Sequence, residues 1–119
     1  EEYGVEYCGY AEDPKFAISS CSVFVLLSYK EGTPRVNLEA MAMGRPIITT
    51  DAPGCRETVL NNINGFLVPK YDYFETSRAM SKLLDANLRS KMGIESRSLC
   101  ERKFNVIDVN NMLLKEMKV

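Results

Sequence analysis

The order of apolar and polar residues along the chain predicts alternating strands and helices. Apolar or alternating runs typical of strands occur at residues 5–8, 22–27, 46–50 and 66–68, and the segments between them favour helices. The run at 22–27 is continuously apolar, so we expect this strand to be covered on both faces. Parallel strands joined by crossover helices form a doubly wound open sheet. The pattern therefore predicts an α/β fold with a doubly wound parallel sheet.

Turn and capping residues mark the ends of the first well-defined helix. Thr33 can cap it, Pro34 suits its first position and Gly44 suits its end, so the helix is expected over about 34–43. Shorter helices are expected over 13–19 and 55–60.

Three helices are expected in the last third of the chain. Asp72 with Glu75 resembles a capping box at the start of the first. Its apolar face is expected to contain Tyr73, Met80, Leu83 and Leu84. Asn87 is expected to cap the second, which carries Leu88, Met92 and Leu99, and a third is expected from about Val106.

Composition excludes several classes of protein. The 119 residues include 15 basic and 16 acidic side chains, giving a net charge of −1, and no basic run is interleaved with aromatics, so nucleic acid is not an expected partner. The four cysteines are irregularly spaced and histidine is absent, so no zinc site is expected. No apolar run approaches the roughly 20 residues of a membrane span. Reduced cysteines indicate a cytoplasmic protein, and the missing initiator methionine suggests part of a longer chain.

Ligands of open α/β sheets bind beyond the carboxyl ends of the strands. This rule selects residues 9–13, 28–34 and 51–55 as candidate binding segments. The second of them leads directly into the helix at 34–43, whose first-turn N–H groups and dipole favour an anion. Because Pro34 lacks an N–H, the donors there would be those of Arg35, Val36 and Asn37.

Two glutamates stand out in this region. Glu39 lies in a helix whose apolar residues surround it on almost every side, so its carboxylate needs partners. One interpretation is an ion pair with Arg35, which the spacing alone slightly favours; the other is a ligand that offers two neighbouring hydroxyls. Glu31 adjoins Gly32, which permits close approach of a ligand, although an exposed loop acid is the commoner outcome.

Residues 31–48, EGTPRVNLEAMAMGRPII, resemble the E-x7-E signature of the group 1 family of retaining, GT-B fold glycosyltransferases. The resemblance extends to Gly9 and Asp13, to DAPG at 51–54 followed by Glu57, and to NGFLVP at 64–69. The chain is therefore identified as a partial C-terminal domain of such an enzyme, with a Rossmann-like doubly wound sheet.

The resemblance implies roles for individual residues. Glu39 would hold the ribose hydroxyls of a nucleotide-diphosphate sugar, and Glu31 would be the catalytic residue that orients and stabilises the donor sugar near its reacting carbon. The other donor-binding residues implied are Gly9, Tyr10, Ala11, Gly32, Thr33, Pro34, Arg35 and Val36. The sequence Thr33-Pro34-Arg35 departs from the family pattern, so Arg35 would either face the diphosphate or pair with Glu39.

The resemblance also implies an activity: transfer of a sugar with retention, without a metal or other cofactor, in bacterial surface polysaccharide or glycolipid synthesis. Residues 1–119 would form the C-terminal part of the nucleotide-sugar-binding domain, with 103–119 packing toward an N-terminal domain that binds the acceptor. The chain alone is expected to be inactive, and the full-length protein to be cytoplasmic or peripheral at the inner face of the membrane. The alternatives are a non-catalytic nucleotide-sugar-binding module and a regulatory flavodoxin-like domain.

Overall fold

The computed structural model of the protein describes residues 21–27 and 35–103. Three strands, three α-helices and one 3₁₀ turn alternate along these segments. They are β1 (Phe24–Leu26), α1 (Arg35–Ala42), β2 (Ile47–Thr50), the 3₁₀ turn (Arg56–Thr58), β3 (Gly65–Val68), α2 (Tyr73–Lys82) and α3 (Ala86–Lys103). The strand predicted at 5–8 and the helices predicted at 13–19 and from Val106 lie outside the described residues.

The three strands form a parallel sheet in the order β1-β2-β3. Ile48 of the central strand pairs with Val25 on one side and with Phe66 on the other. Every residue of β2 is buried. The prediction that the strand at 22–27 is covered on both faces is wrong for the described residues. Strand β1 is only half-buried, because within the described part of the chain it has a neighbouring strand on one side alone. The α/β fold with a parallel sheet is thereby confirmed.

Two apolar clusters lie on opposite faces of this sheet. On one face α1 and α3 contribute Leu38, Met41 and Leu99, which pack with Ile47. On the other face Ile48, Phe66 and Val68 pack with residues of α2 and the start of α3. Because helices cover both faces, the described part has the layers of a doubly wound sheet.

Helix α1 ends where the sequence predicts. Gly44 adopts φ +73°, a left-handed conformation that glycine adopts without steric cost. The Gly44 N–H donates to the Met41 carbonyl and the Arg45 N–H to the Ala40 carbonyl, both at 3.0 Å. These bonds satisfy carbonyls that would otherwise lack partners at a helix end. Nη1 of Arg97, from α3, donates to the Ala42 carbonyl and so ties the two helices together.

The predicted cap of α2 is confirmed and that of α3 is wrong. Asp72 Oδ1 accepts a hydrogen bond from the Glu75 N–H at 2.9 Å. At α3 the capping residue is Asp85, whose Oδ1 accepts from the N–H groups of Asn87 at 2.9 Å and Leu88 at 3.3 Å. Asp85 directly precedes the first helical residue, the position from which a side chain reaches the second and third N–H groups.

The apolar face predicted for α2 is also wrong in part. The residues that face the core are Thr76, Ala79 and Leu83, whereas Tyr73, Met80 and Leu84 are exposed. The buried stripe lies roughly a quarter turn around the helix from the predicted one. Small residues at 76 and 79 let α2 approach the sheet, so packing distance rather than hydrophobicity selects the buried face. In α3, by contrast, Met92 and Leu99 are buried as predicted.

The thiol of Cys100 lies in the core between α1 and α3. Cys100 is fully buried, and burial raises the pKa of its thiol; Arg97 opposes and Glu101 reinforces that shift. A raised pKa means that the folded state retains a proton that the unfolded state releases above its own value of about 8.5. The stabilisation is complete below that pH and is lost as the pH rises through the folded-state pKa.

We therefore expect the free energy of unfolding to fall with pH above about 8.5 more steeply in the wild type than in Cys100→Ala. Urea denaturation of both proteins at several pH values measures the two slopes. Comparing slopes rather than absolute stabilities removes the constant cost of deleting the sulfur atom. Parallel slopes would show that Cys100 ionises equally easily in the folded and unfolded states.

Candidate functional site

The carboxyl ends of the three strands lie at one edge of the sheet, where Leu26, Thr50 and Val68 end β1, β2 and β3. Helix α1 follows β1 along the chain, so its first turn begins on the side of this edge. The turn after β2, residues 51–55, begins at the same edge. Of the three segments that the sequence selects, this turn lies wholly within the described residues; residues 9–13 and 28–34 do not.

Glu39 occupies the middle of α1 and is 2% exposed. All residues from 37 to 42 are buried, which confirms that α1 is enclosed rather than amphipathic. Arg35, in the first turn, is exposed, and Val36 is half-buried. The other predicted site residues, Glu31 with 32–34 and Gly9, Tyr10 and Ala11, lie outside the described part of the chain.

The turn after β2 holds an ion pair at the edge of the sheet. Arg56 Nε lies 3.1 Å from Asp51 Oδ1, and both side chains are about half exposed. Such solvent-screened pairs contribute about 0–1 kcal/mol. Cys55, between them in sequence, is fully buried. The turn therefore presents an exposed, internally paired cation and acid, and its thiol is part of the core.

A buried polar cluster, Asn37, Thr49 and Thr58, joins α1 to this edge. Nδ2 of Asn37 donates to Thr58 Oγ1 at 3.0 Å and to Thr49 Oγ1 at 3.4 Å. Thr49 Oγ1 in turn donates to the carbonyl of Leu26, the last residue of β1, at 2.8 Å. Thr58 Oγ1 donates to the Cys55 carbonyl at 2.7 Å. The cluster thus links α1, β1, β2 and the turn after β2.

This cluster was not predicted from the sequence, although a signal was present. A polar side chain in an enclosed helix needs hydrogen-bond partners, and this holds for Asn37 as it does for Glu39, two positions later. The partners of Asn37 are 12 and 21 residues away in the chain, a separation that no local pattern connects. The burial of a polar residue was therefore predictable, and its partners were not.

Among residues 21–27 and 35–103 there is no group of three or more histidine, cysteine, aspartate or glutamate side chains that could hold a metal ion. No helix within those ranges is long and apolar enough to cross a membrane.

Comparison with solved structures shows the fold. A Staphylococcus aureus TarM mutant in complex with fondaparinux, α-GlcNAc-glycerol and UDP superposes with a TM-score of 0.82, at 22% identity, over 99% of this chain and 24% of that one. The C-terminal domain of a glycosyl transferase group 1 family protein, LpcC from Francisella tularensis, superposes with a TM-score of 0.71, at 25% identity, over 84% of this chain and 52% of that one. The fold is that of the GT-B glycosyltransferases.

Sequence relatives are bacterial glycosyltransferases. The chain is 35% identical over 97 residues to the capsular polysaccharide biosynthesis glycosyltransferase CapM of Staphylococcus aureus, covering 81% of this chain and 26% of CapM. It is 37% identical over 81 residues to the N,N'-diacetylbacillosaminyl-diphospho-undecaprenol α-1,3-N-acetylgalactosaminyltransferase of Campylobacter jejuni, covering 68% and 22%. The chain therefore spans about a quarter of the length of these relatives.

The family model described as "Glycosyl transferases group 1" matches residues 2–99. This match includes β1 to β3, α1 with Glu39, and most of α3. The chain belongs to the group 1 family of glycosyl transferases.

Proposed function

We propose that this chain is the donor-binding part of an enzyme that transfers a sugar, with retention, from a nucleotide-diphosphate sugar to an acceptor in bacterial surface polysaccharide or glycolipid synthesis. Residues 1–119 are the C-terminal part of the nucleotide-sugar-binding domain in this proposal, and the acceptor binds a domain outside the chain. The relatives support the biological setting, since CapM acts in capsular polysaccharide biosynthesis and the Campylobacter enzyme is named for a diphospho-undecaprenol substrate.

The observation that carries the proposal is the enclosure of Glu39 in α1. A carboxylate that is 2% exposed has lost most of its hydration, so its hydrogen bonds to a ligand are stronger than in water. Its two oxygens match the two neighbouring hydroxyls of a ribose. Helix α1 also starts on the side of the sheet where ligands of doubly wound folds bind. We assign Glu39 to the ribose.

The remaining assignments complete the donor site. The N–H groups of the first turn of α1, with the helix dipole, suit the diphosphate, and exposed Arg35 suits the same anion. Glu31 is proposed as the catalytic residue, acting by orientation and electrostatic stabilisation of the departing diphosphate and the cation-like sugar. A nucleotide-diphosphate sugar is the donor in this proposal, and no metal is required.

The test is donor binding to the full-length protein that carries this chain and to its Glu39→Gln variant. Saturation-transfer NMR is recorded with UDP-, GDP- and ADP-sugars, and affinities follow by titration. We expect one nucleotide to show transfer to its ribose and base protons. Glu39→Gln, which removes the charge but keeps the shape, should weaken that donor by about 10- to 100-fold, the range for hydrogen bonds to a charged group.

Glu75→Gln is the matched control. Glu75 lies in α2, on the surface, where its carboxylate pairs with Arg78 at 2.9 Å, so the same chemical change there should leave the donor affinity unchanged. Binding without transfer to any acceptor would support the non-catalytic module instead. If no nucleotide-sugar binds the full-length protein, the transferase proposal is wrong and the regulatory domain is favoured; equal affinities of wild type and Glu39→Gln would remove Glu39 from the ribose.

A further inference from the structure

The polar cluster of Asn37, Thr49 and Thr58 is completely buried. All three side chains have zero exposure, and they lie between a buried helix, a buried strand and the turn after β2. Burying polar groups in this way costs free energy that their hydrogen bonds only partly return. Apolar side chains of similar volume would fill the space at lower cost, so stability alone does not account for the cluster.

Asn37 is incompletely satisfied within this cluster. Both hydrogens of Nδ2 are donated, to Thr49 and Thr58, whereas the buried Oδ1 has no hydrogen-bond partner within the described part of the chain. Both threonine hydroxyls already donate to backbone carbonyls, those of Leu26 and Cys55. Asn37 therefore leaves its Oδ1 acceptor unbonded while its Nδ2 holds both threonines. This lowers stability but fixes the position of Asn37 relative to Thr49 and Thr58.

The geometry of the bonds shows what is positioned. Asn37 lies in the first turn and a half of α1, and its bonds reach the last residue of β1 through Thr49 and the turn after β2 through Thr58. These are the elements at the carboxyl edge of the sheet. The cluster therefore fixes the rotation of α1 about its axis and its distance from that edge.

Rotation of α1 determines where the carboxylate of Glu39 points. Asn37 and Glu39 are two residues apart, about 200° around the helix, so they face nearly opposite directions. Asn37 therefore acts on the site through the helix rather than by touching a ligand. A small rotation of α1 would displace Glu39 and the first-turn N–H groups together.

We infer that Asn37 is a positioning residue for the nucleotide-sugar donor, one that locks α1 in the rotation at which Glu39 and the first-turn amides meet the donor simultaneously. This inference rests on the proposed function. It implies that removing the Asn37 hydrogen bonds weakens donor binding, beyond the loss of stability that any buried asparagine substitution causes.

A second buried asparagine provides the matched control. Asn64 is also fully buried, and its Nδ2 donates to the Thr58 carbonyl at 3.0 Å and to Ser96 Oγ at 3.3 Å. Asn64 precedes β3, at the amino end of that strand, and has no bond to α1 among those described. It reaches Thr58 only at the main-chain carbonyl, whereas Asn37 bonds to the Thr58 hydroxyl. Removing Asn64 takes away hydrogen bonds of the same kind without releasing the start of α1.

The experiment compares Asn37→Ala, Asn37→Leu and Asn64→Ala in the full-length protein. Donor affinity is measured with the nucleotide-sugar that the wild type binds, well below the lowest melting temperature, so that every variant is fully folded. We expect both alanine variants to melt earlier, and only the Asn37 variants to bind the donor about tenfold more weakly or worse, because a misplaced site loses aligned contacts. Asn37→Leu fills the space without making the hydrogen bonds. If Asn37→Ala does not fold, the leucine variant still tests whether those bonds position α1.

The outcomes separate this inference from the proposed function. Wild-type affinity in Asn37→Leu would overturn it, because packing alone would then hold α1. Equal losses of affinity in Asn64→Ala and the Asn37 variants would also overturn it, since the effect would be general loosening. If the wild type binds the donor and Glu39→Gln weakens it while the Asn37 variants do not, the proposed function stands and the positioning role fails.

Discussion

Replacing Gly65 with alanine is expected to abolish the folded sheet. Gly65 begins β3 beside Ile47 of β2, and a Cβ built on its backbone would lie 1.7 Å from the Ile47 carbonyl oxygen and 2.7 Å from the carbonyl carbon. No rotamer change relieves this contact, because the backbone fixes the position of Cβ and the atoms that it meets are backbone atoms of Ile47. Overpacking that side chains can absorb costs about 1–3 kcal/mol. Here the two strands must separate, so we expect a loss of more than about 3 kcal/mol.

The measurement is the soluble yield of Gly65→Ala and, where protein is obtained, its urea denaturation followed by circular dichroism. Ile63→Ala is the control, since Ile63 lies in the same turn and is 45% exposed. We expect the control to stay within about 0.5 kcal/mol of the wild type, as is usual for surface substitutions. A Gly65→Ala protein as stable as the control would mean that β2 and β3 are further apart than the structure places them.

The contact at Gly65 illustrates what the sequence could and could not predict of the fold. The residue was recognisable as part of a turn leading into a strand, because Asn64-Gly65 precedes an apolar run. Its real constraint is the approach of Ile47, 18 positions earlier, which depends on the register of β2 and β3. Local patterns predict elements and their ends, as at Gly44 and Asp72. They carry no information on which backbone atoms meet.

The candidate site also has features that the sequence predicts and features that it does not. The burial of Glu39 followed from the apolar residues around α1, a property of eight consecutive positions. The roles of Glu31 and of the residues near Gly9 stay predictions, because they lie outside the described residues. The partners of Asn37 required the tertiary structure, since they come from β2 and the 3₁₀ turn. The sequence of one helix therefore shows that a side chain is enclosed. Its hydrogen-bond partners become known only when two or more elements are placed together.

The buried face of a helix is only partly predictable from the sequence. The prediction for α2 was right at Leu83 and wrong at Tyr73, Met80 and Leu84, because it ranked positions by hydrophobicity. The buried stripe also contains Thr76 and Ala79. Thr76 resolves its polarity locally, by donating its hydroxyl proton to the Asp72 carbonyl at 3.0 Å. A small side chain that satisfies its own hydroxyl can lie against a sheet where a larger apolar one would hold the helix away.

Gly93→Ala is the second substitution with a large expected effect. The informative result is whether it raises or lowers the free energy of unfolding. In an exposed helix interior, glycine to alanine stabilises by up to about 1 kcal/mol. Gly93 lies inside α3 and is buried against the turn that ends α1, where a Cβ would lie 2.3 Å from the Gly44 carbonyl oxygen. We expect the clash to outweigh the helical propensity and to lower the free energy of unfolding by about 1–3 kcal/mol. Urea denaturation measures the difference.

Ser90→Ala, one turn earlier on α3 and exposed, is the control and should be neutral or slightly stabilising. A stabilised Gly93→Ala would show that α3 does not approach the turn after α1.

The contact between α3 and this turn matters for the site because α3 also holds α1 by two hydrogen bonds. Arg97 donates to the Ala42 carbonyl, and Cys100 Sγ donates to the Leu38 carbonyl at 3.9 Å. A methyl group at position 93 pushes α3 away from the end of the helix that carries Glu39. The expected loss of stability thus measures how firmly the far end of α1 is held, while Asn37 holds its start.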